Sequence, residues 1–214
     1  VVYKQGALVK ENLATGDDGS ATLKGLYLGT YRVTEMKAPT NLICAGESKE
    51  VTLSYAGQNV EVAVGDLTFV NDRQKAKVFA EKQDKDTKKS LAGAVFGLYA
   101  GKDIKNQDGQ VVVAKDTLIA KATTDEMGSG AFAADIPNNN SYYVKELQAP
   151  ANYFRNSDEV YSFDFQYIND KEETISFSHA FSNEYVSASI HLVKKDKETG
   201  NVTQGDAKFA GAVY

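Results

Sequence analysis

Alternating apolar runs in this chain are continued by a lysine, a glutamate and an asparagine. Together, these residue types can form a covalent crosslink. For Lys82, Glu146 and Asn183, alternation places the side chain on the same strand face as its apolar neighbours. Burial favours the uncharged form of an amine and of a carboxylic acid. A neutral amine is a nucleophile, and a protonated glutamate can polarise an asparagine carbonyl and shuttle protons. Held in contact, the amine can attack the amide carbon and expel ammonia, leaving an isopeptide bond.

A buried polar network is the simpler interpretation of one such set, but the glutamate and the asparagine both recur. The order Tyr, Val, Glu, Ala, Pro occurs as YRVTEMKAP at residues 31–39 and as YYVKELQAP at residues 142–150. An asparagine that ends an alternating run follows the Glu by 36 residues in one copy and by 37 in the other. The pairs are Glu35 with Asn71 and Glu146 with Asn183. This repeat predicts two copies of one domain.

The lysine also has a counterpart. VFAEKQD at residues 78–84 contains Lys82, and IHLVKKD at residues 190–196 contains Lys194 at the same position. Strand parity favours Lys194 over its neighbour Lys195, which would face solvent. Recurrence of all three residue types favours the crosslink over the network.

The elements that must position these residues are predicted to be strands. Short alternating segments separated by Gly, Asp and Asn clusters indicate an all-β chain with the spacing of a β-sandwich, and there is no long helical pattern. The predicted strands include residues 21–23, 31–35, 50–54, 60–64, 67–71, 111–114, 142–146 and 159–165. The length of 214 residues fits two domains of about 100 residues each.

The pattern Lys-x-Asp, Leu-Ala-Gly-Ala-x-Phe, Tyr-x-Val-x-Glu-x-x-Ala-Pro and a terminal strand ending in Phe-x-Asn resembles the CnaB-type (prealbumin-like, SpaA-like) domains of Gram-positive surface adhesins and pilins. The resemblance implies Ig-like β-sandwich domains whose first and last strands lie side by side, joined by a spontaneous isopeptide bond that the Glu catalyses. The implied sets are Lys82, Glu146 and Asn183, and Lys194, Glu35 and Asn71. Asn152 and Asn41 stand where the family has a Gly, and because Asn tolerates a left-handed turn we expect the same loop shape.

The repeat also predicts domain boundaries. Residues 1–74 correspond to a domain without its first strand, residues 75–186 to a complete domain, and residues 187–214 to a first strand that we expect to complete residues 1–74. The final FAGAVY joined to the initial VVY reproduces LAGAVFGLY at residues 91–99. One domain would then be split between the termini, either because the chain is a staggered cut from a longer array or because it is permuted. The terminal strand would complete the domain of its own chain or that of a neighbouring chain.

Composition excludes several function classes. A net charge of −5 with basic residues spread along the chain gives no nucleic-acid surface, and no apolar run is long enough to insert in a membrane. The single Cys44 cannot form an internal disulfide and is interpreted as a small apolar residue. We interpret His179 as a core histidine and expect neither a metal nor a cofactor.

The sequence thus predicts structural stalk modules of a Gram-positive surface adhesin or pilus subunit, extracellular and anchored to the cell wall through other parts of the protein. The expected partners are neighbouring domains of the same protein, and other copies if strands exchange. One alternative is an adhesin module that binds a host protein or glycan. Another is a carboxylate-based hydrolase, which would need Glu35 or Glu146 open to solvent, contrary to their strand parity. We therefore expect a single intramolecular reaction and no turnover enzyme.

Overall fold

The computed structural model describes residues 3–214, which form eleven strands and, within that range, no helix. The strands are β1 (Gly29–Thr34), β2 (Ser48–Leu53), β3 (Lys75–Asp84), β4 (Val95–Ala100), β5 (Ile104–Lys105), β6 (Val111–Val113), β7 (Leu118–Thr123), β8 (Ser129–Ala131), β9 (Asn140–Gln148), β10 (Val160–Phe165) and β11 (Thr174–Asn183). This confirms the all-β prediction. A helix able to cross a membrane is likewise not found in the described part of the chain.

Contacts between residues divide the chain into two compact units. The first contains the chain up to Ala76 together with Ile136–Asn139 and Gln166–Ile175, and the second contains Lys77–Asp135, Asn140–Phe165 and Ser176–Tyr214. The domain boundaries predicted at residues 74 and 186 stay a prediction.

The second unit is a two-layer sandwich. One sheet has the strand order β10-β9-β4-β7, the other has the order β11-β3-β8, and β5 pairs with β6 in a separate ribbon. Strand β9 alternates between the two faces of its sheet. Its buried side chains, Tyr142, Val144 and Glu146, face the core, while Tyr143 and Lys145 are more exposed. Other core residues are Val78, Ala80, Phe96, Leu98, Phe163, Phe165 and Phe181.

The strands β3 and β11 are sequence-distant neighbours that run parallel. Lys75 N–H donates to Glu173 O at 2.9 Å, and Lys85 N–H donates to Asn183 O at 2.9 Å. Both partners advance along the chain in the same direction, which is the signature of a parallel pair. The first and last strands of the sandwich therefore lie side by side, as the resemblance implies.

In the first unit, β1 and β2 form an antiparallel pair in which Val33 lies opposite Lys49. The strands predicted at residues 21–23, 60–64 and 67–71 are wrong, because the structure gives these segments no strand. A strand needs a neighbour to accept its backbone hydrogen bonds, and the segment at 67–71 is followed only by an isolated bridge between Leu42 and Arg73.

Residues 187–214 are irregular apart from a turn closed by a bridge between Asp196 and Gly200. That this segment completes residues 1–74 as a first strand stays a prediction. The expected continuity of FAGAVY with VVY falls partly on Val1 and Val2, which lie outside the described residues. The two loops after Ala-Pro have the predicted left-handed residue, with φ of 67° at Asn41 and 69° at Asn152.

Candidate functional site

Three strands bring the predicted residues of the second unit together in its core. Lys82 lies on β3 and Asn183 ends the neighbouring β11, while Glu146 lies on β9 in the opposite sheet. Only 2%, 1% and 2% of Lys82, Asn183 and Glu146, respectively, are exposed. Burial of two ionisable groups costs several kcal/mol unless they are paired. The contacts among the three side chains therefore decide whether this cost is offset.

The contacts among the three side chains are direct. Lys82 Nζ lies 3.0 Å from Glu146 Oε1 and also donates to Asn183 Oδ1. Asn183 Nδ2 donates to both carboxylate oxygens of Glu146, at 3.1 Å each. Each residue therefore contacts the other two, and the amine is adjacent to the amide whose carbon it would attack.

The surroundings of Lys82 favour its neutral amine. Burial lowers the pKa of Lys82 from its usual value, against the opposing influence of Glu146 and a smaller one of Glu159. The amine lies over the ring of Phe96, 5.7 Å from its centroid, and Phe96 packs on Phe181 with a centroid distance of 4.7 Å. These apolar walls exclude water from the amine, so its nucleophilic form is more accessible than in solution.

The second predicted set is brought together only in part. Asn71 Nδ2 donates to Glu35 Oε2 at 2.7 Å and to Ile43 O at 3.0 Å, and both Glu35 and Asn71 are half-buried. Lys194 lies in irregular, exposed backbone of the second unit. The acid and the amide are thus in contact, and the assignment of Lys194 as their amine stays a prediction.

Asp84, two residues after Lys82, fixes the turn that follows β3. Its Oδ1 accepts hydrogen bonds from the N–H of Thr87 at 2.7 Å and of Asp86 at 3.0 Å, and its Oδ2 accepts from Tyr153 Oη at 2.9 Å. Tyr153 belongs to the loop after the Ala-Pro of the repeat, so this carboxylate ties that loop to the end of β3. These bonds, led by that from Thr87 N–H, together with one from Thr87 Oγ1, lower the pKa of Asp84 to about 2.

A pH dependence follows from Asp84. Its folded-state pKa is below the value of about 3.9 expected in the unfolded chain, so its stabilisation is complete above about pH 4 and lost as the pH falls through about 2. We expect Asp84→Asn to flatten the fall in unfolding free energy between about pH 4 and pH 2, measured by urea titration at each pH. Asp103→Asn, which alters an exposed carboxylate bonded to Lys115 N–H, is the control. An identical acid profile in Asp84→Asn would contradict the assignment.

Two residues near the site were not found from the sequence as parts of it. His179 is not a core histidine, because 36% of its side chain is exposed, and its Nε2 lies 3.2 Å from Glu159 Oε1. Glu159 also accepts a hydrogen bond from Ser182 N–H at 3.4 Å. The available signal for Glu159 was its place as the first residue of the strand predicted at residues 159–165, which does not distinguish it from a solvated strand end.

Within residues 3–214, no group of three or more His, Cys, Asp or Glu side chains has a geometry that could hold a metal ion. Cys44 is buried, with its Sγ 3.6 Å from Glu35 O. It thus packs as the small residue that the sequence predicts.

The fold and the site define a β-sandwich domain whose parallel first and last strands carry a buried lysine and asparagine beside a glutamate from the opposite sheet. The family model for the SpaA prealbumin-like fold domain matches residues 1–68 and 76–179. The chain belongs to this family. No curated protein sequence matches the chain significantly.

Solved structures similar to the chain include the Bacillus anthracis TIE protein, with 27% identity and a TM-score of 0.52 over 80% of this chain and 28% of that one. The group B streptococcus pilus 2b backbone protein is 18% identical, with a TM-score of 0.39 over 71% of this chain and 52% of that one. The shaft pilin SpaA from Lactobacillus rhamnosus GG is 16% identical, with a TM-score of 0.38 over 82% and 73% of the two chains. The chain thus spans little more than a quarter of the TIE protein.

Proposed function

We propose that the second unit joins Lys82 to Asn183 by an autocatalytic isopeptide bond, with Glu146 as the proton carrier. The observation that carries this proposal is the mutual contact of the three side chains in a water-excluded core. Two reacting groups held in contact need no diffusional encounter, and this proximity compensates for the low reactivity of an amide.

The reaction balances without a cofactor. The Lys82 ammonium gives a proton to the Glu146 carboxylate, and the resulting amine attacks Cγ of Asn183. Glu146 gives this proton to Nδ2 and takes the second proton from the attacking nitrogen, and the bond between Cγ and Nδ2 breaks. Ammonia departs, a secondary amide remains, and Glu146 is again free to ionise. Each chain reacts once, so the protein is a substrate of its own chemistry and has no turnover.

The wider role that we propose is a stalk module of a Gram-positive surface adhesin or pilus subunit, located outside the cell. Membership of the SpaA prealbumin-like family and the parallel arrangement of β3 and β11 support this role. Tension applied along the chain enters the sandwich through β3 and leaves through β11. A covalent bond between these strands carries the load, and the fold between them is shielded from extension.

We further propose that Glu35 and Asn71 form a second site of this kind, for which Lys194 is the amine. The contact of Asn71 Nδ2 with Glu35 and the match of Lys194 to Lys82 support this. Delivery of Lys194 requires residues 187–214 to become a strand beside residues 67–71. The segment would come from the same chain or from a neighbouring copy.

The test is the mass of the purified chain under denaturing conditions, because each isopeptide bond removes one ammonia, about 17 Da. We expect the Lys82 to Asn183 bond to remove one ammonia, and a Lys194 to Asn71 bond to remove a second. Covalent multimers would indicate that Lys194 reacts between chains. A mass equal to that calculated from the sequence would contradict the proposal and leave a buried polar network.

A further inference from the structure

The carboxylate of Glu159 lies at the free edge of β11, next to the asparagine of the site. Glu159 immediately precedes β10, the edge strand of the opposite sheet. Its Oε2 accepts a hydrogen bond from Ser182 N–H at 3.4 Å, and its Oε1 lies 3.2 Å from His179 Nε2. Because Ser182 precedes Asn183, the carboxylate contacts the backbone one residue from the reacting amide.

Two contacts hold the same segment of β11 from the β3 side. Gln83 Nε2 donates to Ser182 Oγ at 3.2 Å, and Lys85 N–H donates to Asn183 O at 2.9 Å. They fix the end of β11 along β3. They do not restrain its tilt, because β11 is the edge strand of its sheet in the described chain. Glu159 supplies the restraint from the other side.

The partner that fixes Glu159 is itself packed. The ring of His179 stacks on Tyr161 with a centroid distance of 4.9 Å and an interplanar angle of 7°. Its edge meets Phe181 at a centroid distance of 4.7 Å. These rings come from both sheets, so the position of the His179 nitrogen is set by the sandwich core. The Glu159 carboxylate is therefore held at both oxygens.

The same acid occurs at the equivalent position of the other copy. In each copy, the Val of the Tyr-Val-Glu run pairs with a residue of the neighbouring strand. Val33 lies opposite Lys49, and Val144 lies opposite Tyr161. Two residues before that partner, the acid is Glu47 in one copy and Glu159 in the other. Glu47 O accepts from Glu35 N–H at 3.0 Å, while its carboxylate pairs with Lys49 at 3.2 Å. Register thus places a glutamate at this position in both copies, and in the second copy its carboxylate contacts the strand that carries the asparagine.

We propose that Glu159 is a positioning residue for isopeptide formation, which holds Ser182 N–H from the free edge and so keeps the Asn183 amide carbon in line with the Lys82 amine. This inference rests on the proposed function of the site. Glu159 would orient the backbone that carries the Asn183 amide. None of the three reacting side chains can perform this task.

The hydrogen bond, and not the charge, is the dominant contribution of Glu159. A negative charge stabilises the Lys82 ammonium and also disfavours the Glu146 carboxylate, so its two effects on proton transfer between them oppose each other. With 27% of the Glu159 side chain exposed, solvent screens the charge further. A small displacement of the Asn183 amide carbon, by contrast, changes the reacting geometry directly.

The experiment compares crosslinking rates of full-length chains made by cell-free synthesis, quenched in acid at intervals and weighed for the loss of about 17 Da. We expect Glu159→Ala to react about tenfold more slowly, the effect of losing a hydrogen bond that orients a reacting group. Glu159→Gln should react within about twofold of wild type, because its amide oxygen still accepts from Ser182 N–H. Asp164→Ala, which alters an exposed carboxylate on β10 bonded to Ser141, is the matched control and should react at the wild-type rate.

A second variant tests the support of Glu159. His179→Phe keeps the ring stack and removes the nitrogen, so we expect a rate about threefold lower. An unchanged rate in Glu159→Ala would overturn the inference, and so would an equally slow Glu159→Gln, which would assign the effect to charge. If wild type reacts in a Glu146-dependent way while Glu159→Ala is equally fast, only this inference fails. A wild-type chain that never loses ammonia overturns the proposed function and this inference together.

Discussion

Glu146→Ala is expected to leave the chain at its uncrosslinked mass, with Lys82 and Asn183 unjoined, over times in which wild type reacts completely. The alanine removes the group that takes the proton from the Lys82 ammonium and relays one to the leaving nitrogen, and positioned proton carriers contribute about 10²- to 10⁴-fold to rates. Intact-mass measurement on denatured protein gives the result directly, because the missing bond appears as one retained ammonia.

The matched control is Glu81→Ala. Glu81 is a half-buried carboxylate on the same strand as Lys82, and its Oε1 accepts from Ser129 Oγ at 2.9 Å, away from the site. It should lose ammonia like wild type. Complete ammonia loss in Glu146→Ala would remove the catalytic role that we assign to this carboxylate, and the contacts of Glu146 would then serve packing alone.

Lys82→Met is expected to lower the unfolding free energy of the second unit by at least about 4 kcal/mol. The proposed bond would close a loop between residues 101 positions apart, and the chain-entropy treatment of a covalent loop of about 100 residues gives roughly 4 to 5 kcal/mol. The methionine keeps the apolar contact with Phe96 but leaves the buried Glu146 without a polar partner at position 82, which adds to the loss. Urea titration followed by tyrosine circular dichroism measures the difference.

Lys85→Met serves as the control for this stability prediction. Lys85 lies just beyond β3 and pairs with Glu184 on the surface, so its replacement should change the free energy by no more than about 1 kcal/mol. Wild type and Lys82→Met unfolding at the same urea concentration would mean that no covalent loop contributes. A large loss in Lys85→Met would mean that the surface pair, and not the core site, secures the strand ends.

Strand parity made the central site predictable. The alternation of Tyr142, Val144 and Glu146 fixes their common face whatever the sheet order, and the same reasoning holds for Lys82 and Asn183. Recurrence then favoured chemistry over a polar network. The contact between these residues depends on two sheets packing face to face, which the all-β pattern and the resemblance implied.

The features that the sequence did not predict depend on contacts with residues that are distant in the chain. An alternating run such as residues 67–71 becomes a strand only where a neighbour accepts its backbone bonds, and none is formed there in the described chain. Glu159 acquires its contacts through the register of β9 with β10 and the edge position of β11. His179 has inward parity, yet its place near the sandwich rim leaves it half-exposed.

With Lys82 joined to Asn183, the backbone from β3 to β11 becomes a closed covalent ring that contains every strand from β4 to β10. A protease that cuts one peptide bond within the ring, for example in the exposed turn at Asp108 and Gly109 between β5 and β6, opens it without dividing the molecule. Two cuts are needed to release a fragment. A crosslink between the parallel strands β3 and β11 would thus turn a linear chain into one whose connectivity survives a single break.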